Sequence, residues 1–164
     1  MNEIKLMEPT IEYKEDIWKF RQEIMDSSDY DKFAGCGTLE QSSTALEWIE
    51  TTKRGSNKDT CPADKVPSNI YIAVRLTDNK IVGIIDLRHH IEHPVLSTWG
   101  GHIGYYVRPN ERGRGYGKEM LRQNLMNARK LGIKKVLITC NDDNTASEKT
   151  ILANGGVFEN SLRK

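Results

Sequence analysis

The stretch RPNERGRGYGKEML, residues 108–121, sets glycine at 113, 115 and 117 among arginines at 108, 112 and 114, directly ahead of a helical pattern. Each glycine costs about 0.5–1 kcal/mol of backbone entropy relative to alanine, so a bare turn would use fewer. The spacing points to something that must come close to the main chain. A helix N-terminus offers unpaired N–H groups and a partial positive charge, and flanking glycines let a phosphate reach them without meeting a Cβ atom. Arg112 and Arg114 add forked donors suited to phosphate oxygens. The loop reads as a cradle for a diphosphate.

Working outward, the period changes on either side of this loop. Before it, residues 102–107 read as a strand that ends at Arg108-Pro109, because proline cannot donate to a sheet ladder. After it, Leu121, Leu125 and Ala128 recur at helical spacing, with Met120 and Leu131 widening the stripe and Gly132 as the stop, so a helix is expected over 115–131. Val136-Leu137-Ile138 is a continuous apolar run of the kind found in a strand buried on both faces. Strand, helix and strand from 102 to 140 make a right-handed βαβ unit with parallel strands, and the glycine loop lies beyond the carboxyl end of the first strand, where open α/β sheets bind ligands. A last helix follows, with N-cap candidates at 141–144 and a stop at Asn154-Gly155-Gly156.

The N-terminal half supplies the rest of one domain. Residues 4–13 are weakly strand-like, and Tyr13, Ile17, Phe20 and Ile24 share a helical face. A second helix is expected over 39–54, with Leu46 and Ile49 inward and Gly55 as its stop, followed by a polar loop over 55–68. Alternating residues 69–77, the pair Asp78-Asn79 and the apolar segment 80–91 describe a β-hairpin with a two-residue turn.

Composition excludes several classes. Twenty-four basic and 23 acidic side chains leave a net charge of +1 over 164 residues, without the global field of a nucleic-acid binder. No apolar run approaches the ~18 residues that cross a bilayer. Three cysteines, 36, 61 and 140, lack paired metal-ligand spacing, and Met1 opens no signal-peptide core, so a reduced, cytoplasmic protein is expected. His89 and His90 fall on opposite strand faces, and no metal site is expected from them with Glu92 and His93. Trp18, Trp48 and Trp99 are expected to fill core or pocket wall.

Two familiar phosphate loops do not fit. A Walker loop would need Gly at 112 and Ser or Thr at 119, where the chain has Arg112 and Glu119; the dinucleotide fingerprint begun at Gly113 would need Gly at 118, where it has Lys118. The pattern Arg/Gln-x-x-Gly-x-Gly/Ala does fit, as Arg112-Gly113-Arg114-Gly115-Tyr116-Gly117. With the strand HIGYYV, the strand KKVLITC and the segment NTASEKTILANGG, the sequence over 69–158 resembles the GNAT family of acetyl-CoA-dependent N-acetyltransferases. GGHIGYYVRPNERGRGYG and NGGVFEN are similar to a bacterial group of such predicted enzymes whose acceptors are mostly unassigned.

The resemblance implies an α/β fold with a mixed α+β sheet, mostly antiparallel with a central splayed parallel pair, and helices on both faces of one domain spanning 1–164. It implies acetyl-CoA as cosubstrate and a primary amine, on a small molecule or a peptide, as acceptor by direct attack in a ternary complex, with His89, His90, Glu92 and His93 bordering the acceptor pocket. A catalytically weak CoA-binding regulatory module is the alternative. The diphosphate would lie on the backbone of Gly113, Arg114, Gly115, Tyr116, Gly117 and Lys118, with Arg112 anchoring or shaping the loop. Tyr106 and Val107 would border the pantetheine arm, and the Val107 N–H would polarise the thioester carbonyl.

Relatives place a base Glu where this chain has Gly101, and its neighbour His102 is the candidate base, or a histidine packed on the sheet. Relatives also carry an acidic Tyr in the last helix, where this chain has Ile151. Ser147 could bond the leaving sulfur or the arm, and Asn144 could hold the pantetheine or cap the helix. Tyr105 and Tyr106 point to opposite faces, so one at most would line the slot. The family sheet has further strands after the last helix, whereas only a short strand over 157–160 is available here. Either the edge is left exposed or a partner in a homodimer covers it.

Overall fold

A computed structural model describes residues 2–93, 95–141 and 144–159, without the side chains of Thr98 and Trp99. Trp99 as core or pocket wall, and Asn160 as the end of a strand, therefore lie outside the described residues. Four strands, β1 (Ile4–Met7), β2 (Ser68–Arg75), β3 (Lys80–Arg88) and β4 (Tyr105–Val107), form one sheet in the order β1-β2-β3-β4, antiparallel throughout. Helices α1 (Lys14–Asp26) and α2 (Ala45–Gly55) cover one face, and α3 (Tyr116–Lys130) covers the other. The fourth helix, α4 (Thr145–Ala153), packs against α3. No helix among the described residues is long and apolar enough to cross a membrane.

Both faces of the hairpin are buried, which explains why its alternation is apolar with apolar. Ile70, Ile72 and Val74 join Phe20, Ile24 and Trp48 on one side, while Ala73, Ile85 and Leu87 join Met120 and Leu121 on the other. Burial of such side chains contributes about 1.5–3 kcal/mol each, so these two layers hold β3 and β4 in place. The turn is longer than two residues, since β2 ends at Arg75 and β3 resumes at Lys80, with Asn79 left-handed at φ 56°.

Several expected boundaries move for local reasons. The first strand is only four residues long, and Ile11–Tyr13 forms a 3-10 turn. The second helix starts at Ala45, not 39, because the Thr44 side chain accepts the Glu47 N–H and caps it there. Its inward residues are then Ala45 and Trp48, whereas Leu46 is 47% exposed and Ile49 only partly buried. Segment 55–68 is a loop up to Ser68, where β2 begins.

The largest departure concerns residues 136–138. The expected parallel strand does not join the sheet, and with it the βαβ unit is not formed among the described residues. The segment makes a single antiparallel bridge, Gly101 to Ile138, beside a bond from the His102 N–H to the Leu137 carbonyl at 2.8 Å. Gly101 turns the chain there with φ 65°, and β4 begins only at Tyr105. Residues 157–159 form no strand either, and Val157 and Phe158 are 89% and 74% exposed. β4 is thus the last strand of the sheet, with its outer edge unpaired within it.

Candidate active site

The loop after β4 has the conformation that its glycines permit. Pro109–Glu111 makes one 3-10 turn, Gly113 is left-handed at φ 76°, and Gly115 caps α3 from φ 85° with no side-chain capping bond. The first amides of α3 are therefore free of any side-chain cap, at the positive end of its dipole. A Cβ on Gly113 would meet nothing within 4 Å, so its bareness serves no packing within the protein. A Cβ on Gly117 would stand 3.3 Å from Val107 Cγ2, so this glycine lets the helix start close against β4.

These elements border a cavity of about 540 Å³. Its walls are Glu111, Arg112 and Gly113 with residues 115–118 of the loop and helix start, all three residues of β4, Asn144, Ser147 and Thr150 of α4 and its cap, and Asp29, Tyr30 and Asp31 from the α1–α2 connection. Tyr106, Val107, Arg112, Gly113, Gly115, Tyr116, Gly117, Lys118, Asn144 and Ser147 are thereby brought to one cavity. Arg114 and His102 do not line it, nor do His89, His90 and Glu92. Both Tyr105 and Tyr106 border it, since β4 is an edge strand and the cavity wraps around that edge.

The three arginines have different duties. Arg108 is 2% exposed and bonds Asp16, Glu23 and the Ile81 carbonyl, beneath which Phe20 lies, so it is a core ion pair. Arg112 donates through Nη1 and Nη2 to the two carboxylate oxygens of Asp29 at 2.9 and 2.7 Å, and through Nε to the Val107 carbonyl at 3.2 Å. This guanidinium pulls the Asp29 carboxyl down to about 2. Arg114 donates to Glu111 at 3.0 Å, and Glu111 is held in turn by Arg75 at 2.9 Å. Arg114, with its side chain 55% exposed, and the exposed Lys118 are the loop cations turned to solvent.

Strand register fixes where the backbone of β4 points. Gly104, paired with Asp86, and Arg108, paired with Val82, bond to β3, so the intervening odd residues Tyr105 and Val107 turn their N–H and C=O groups to the outer edge. The start of α4, which packs on α3, reaches the Tyr105 side chain. Asn144 accepts the Ser147 N–H at 3.1 Å, and the Ser147 hydroxyl meets the Tyr105 phenol at 2.6 Å. Burial pushes the Tyr105 phenol up from its ordinary value of 10.0.

His102 sits elsewhere. It is 6% exposed, and its Nδ1 accepts the Leu137 N–H at 2.9 Å, which leaves the ring proton on Nε2 in the neutral form. Burial lowers its pKa. Gly101, the position of the Glu in relatives, can carry no side chain here: a Cβ would lie 2.4 Å from the Leu137 carbonyl oxygen.

Asp29 and Tyr105 are among the cavity groups that sequence reasoning missed, together with Tyr30, Asp31, Glu111 and Thr150. Tyr105 was legible as one of a pair of strand tyrosines. Asp29 gave no signal, being one acid among 23.

An open glycine loop at an uncapped helix start, next to a strand edge with outward amides, suits a ligand with a diphosphate at one end and an extended amide-bearing arm at the other, which is the chemistry of a CoA thioester. The family model described as Acetyltransferase (GNAT) domain matches residues 5–157. The chain belongs to the GNAT acetyltransferase family. It is an acetyltransferase of the acetyl-CoA-dependent kind. Solved structures share the fold. A provisionally assigned ribosomal-protein-serine acetyltransferase from Vibrio cholerae superposes with TM-score 0.64 at 18% identity, over 94% of this chain and 80% of its own. The microcin C7 self-immunity acetyltransferase, solved with acetyl-CoA and AMP, gives 0.60 at 20% identity over 94% and 79%. A ribosomal α-N-protein acetyltransferase in complex with coenzyme A gives 0.56 at 15% over 92% and 78%. Among curated proteins, none matches the sequence.

Proposed function

We propose that this protein transfers the acetyl group of acetyl-CoA to a primary amine by direct attack, with donor and acceptor held together. Bound acetyl-CoA would supply a thioester carbonyl that amines can attack and a diphosphate that anchors it. The amides of residues 113–118 hold the diphosphate, assisted by Lys118 and Arg114. The unpaired edge of β4 takes the arm, and the outward N–H of Val107 donates to the carbonyl oxygen as charge develops there. Asn144 and Ser147 hold the arm from the far side. The Tyr105 phenol, bonded to Ser147, returns a proton to the departing sulfur, in place of the tyrosine that Ile151 replaces.

The acceptor ammonium must first lose a proton, its reference pKa lying near ~10.4. His102 is poorly placed for this, with Nδ1 committed to Leu137 and its ring away from the cavity. Asp29, at about 2, is too weak a base. We assign the proton to water at the open mouth of the cavity.

The observation that carries this reading is that the glycine loop, the outward Val107 amide and the Tyr105–Ser147 pair open on one cavity. Release of free CoA thiol in the presence of a panel of amines tests it: a polyamine, free amino acids, an aminoglycoside and a peptide N-terminus. Thiol release with at least one amine is expected. Tight acetyl-CoA binding with no release from any of them would favour the regulatory module.

A further inference from the structure

We propose that Asp29 is a positioning residue of the reaction, setting the α1–α2 connection, the glycine loop and the Tyr106–Val107 peptide against one another through a single carboxylate. The inference rests on the acetyltransferase reading above. Asp29 accepts both terminal nitrogens of Arg112 and also the Tyr106 hydroxyl, which is 3.3 Å from Ser27 Oγ. Arg112 lies 5.1 Å over the Tyr106 ring and reaches the Val107 carbonyl with its remaining edge. Three separated pieces of chain therefore meet at one ion pair that spans 83 residues of sequence.

The arrangement changes the meaning of Arg112. A cation at the head of a phosphate loop would ordinarily be counted as an anion ligand. Here its charge is matched by Asp29 before any anion arrives, and its donors are turned to a carboxylate and a strand carbonyl. It acts as a strut between loop and strand. The peptide that joins Tyr106 to Val107 carries the N–H aimed at the substrate carbonyl, and Asp29 holds that peptide from both sides: by the phenol of Tyr106 and, through Arg112, by the Val107 carbonyl. Its chain neighbours Tyr30 and Asp31 line the same cavity, with Tyr30 93% exposed.

Removing the charge of Asp29 should thus separate binding from turnover. Loss of a negative charge beside a diphosphate site favours the anion, and Arg112 is released to it. Loss of the positioned N–H slows the chemical step, where misplacement of about 1 Å can cost up to about 100-fold.

The test uses Asp29→Asn and Asp29→Glu in the full chain. Acetyl-CoA affinity is measured by calorimetry, and thiol release is measured with hydroxylamine, a small nucleophile that needs no acceptor pocket: its nitrogen bonds to the acetyl carbon, the C–S bond breaks and the sulfur takes a proton. For Asp29→Asn, acetyl-CoA binds as tightly as to the wild type or tighter while the maximal rate falls at least about tenfold, and Asp29→Glu recovers most of that loss. An unchanged rate in Asp29→Asn overturns the proposal. So does a parallel loss of affinity, rate and melting temperature that Asp29→Glu fails to relieve. If the wild type neither binds acetyl-CoA nor accelerates the reaction over solution, the acetyltransferase reading itself is what fails.

Discussion

The phenol of Tyr105 and the hydroxyl of Ser147 meet at 2.6 Å and join the edge strand β4 to the first turn of α4. Burial keeps the Tyr105 phenol protonated, so it has a proton to give, and the pair borders the cavity that also holds the glycine loop. Tyr105→Phe keeps the ring and loses the proton. Thiol release is expected to slow by about 10–100-fold with acetyl-CoA affinity held within about threefold, as removal of a general acid would do. Equal losses in affinity and rate would make the pair a structural clasp. Rates and calorimetry on the variant decide it.

Gly113 isolates the role of bare backbone. Its φ of 76° makes any side chain strained by about 1–2 kcal/mol, yet an added Cβ would touch nothing within 4 Å. Gly113→Ala therefore should melt within several degrees of the wild type while acetyl-CoA affinity falls more than about tenfold, because only an incoming anion meets the methyl group. Unchanged affinity would remove this amide from the binding surface.

Gly35 makes the opposite case. At φ 73°, a Cβ there would lie 2.3 Å from the Gly104 carbonyl oxygen, where the α1–α2 connection presses on the chain just before β4. The Gly104 backbone cannot yield without disturbing Asp86, whose Oδ1 accepts the Gly104 N–H at 2.6 Å and whose N–H donates to the Gly104 carbonyl at 2.9 Å. Gly35→Ala is expected to destabilise by about 2–5 kcal/mol, strain and overpacking together, read as a fall in melting temperature or urea midpoint.

Much of this was legible in the sequence where a periodic pattern agreed with a local stop signal. The helix after the loop is bounded by Gly115 and Gly132, and the inward face of Ile17, Phe20 and Ile24 needed only helical spacing. The loop announced itself because three alternating glycines are costly without a ligand. What was hidden depends on contacts between distant residues. Nothing near Arg112 in sequence reveals that its partner is Asp29. The apolar run 136–138 reads as a strand, yet the turn at Gly101 and the bonds of His102 to Leu137 leave it with a single bridge. Thr44 and Glu47 spell a capping signal that sets the start of α2 and turns Ala45 and Trp48 inward, one residue round from Leu46 and Ile49.

Acidity should reveal two separate windows. His102 is neutral and its pKa depressed by burial, so the stability it contributes is complete above its ordinary value of 6.5 and is lost as pH falls below that. Asp29 has its pKa depressed from 3.8 to about 2, chiefly by Arg112, so its contribution is complete above 3.8 and is lost only between there and about 2. His102→Gln should flatten the first window in urea titrations across pH and leave the second. In His102→Ala, the rate profile should keep its acidic limb; disappearance of that limb would restore His102 as the base.

A structure of the protein with bound CoA is the most direct trial of the central claim. The diphosphate oxygens should lie within about 3 Å of main-chain nitrogens between Gly113 and Lys118, with the arm along β4 beside Val107 and Arg112 still paired to Asp29. A diphosphate held away from that loop, or an arm that leaves the Val107 N–H untouched, would contradict it.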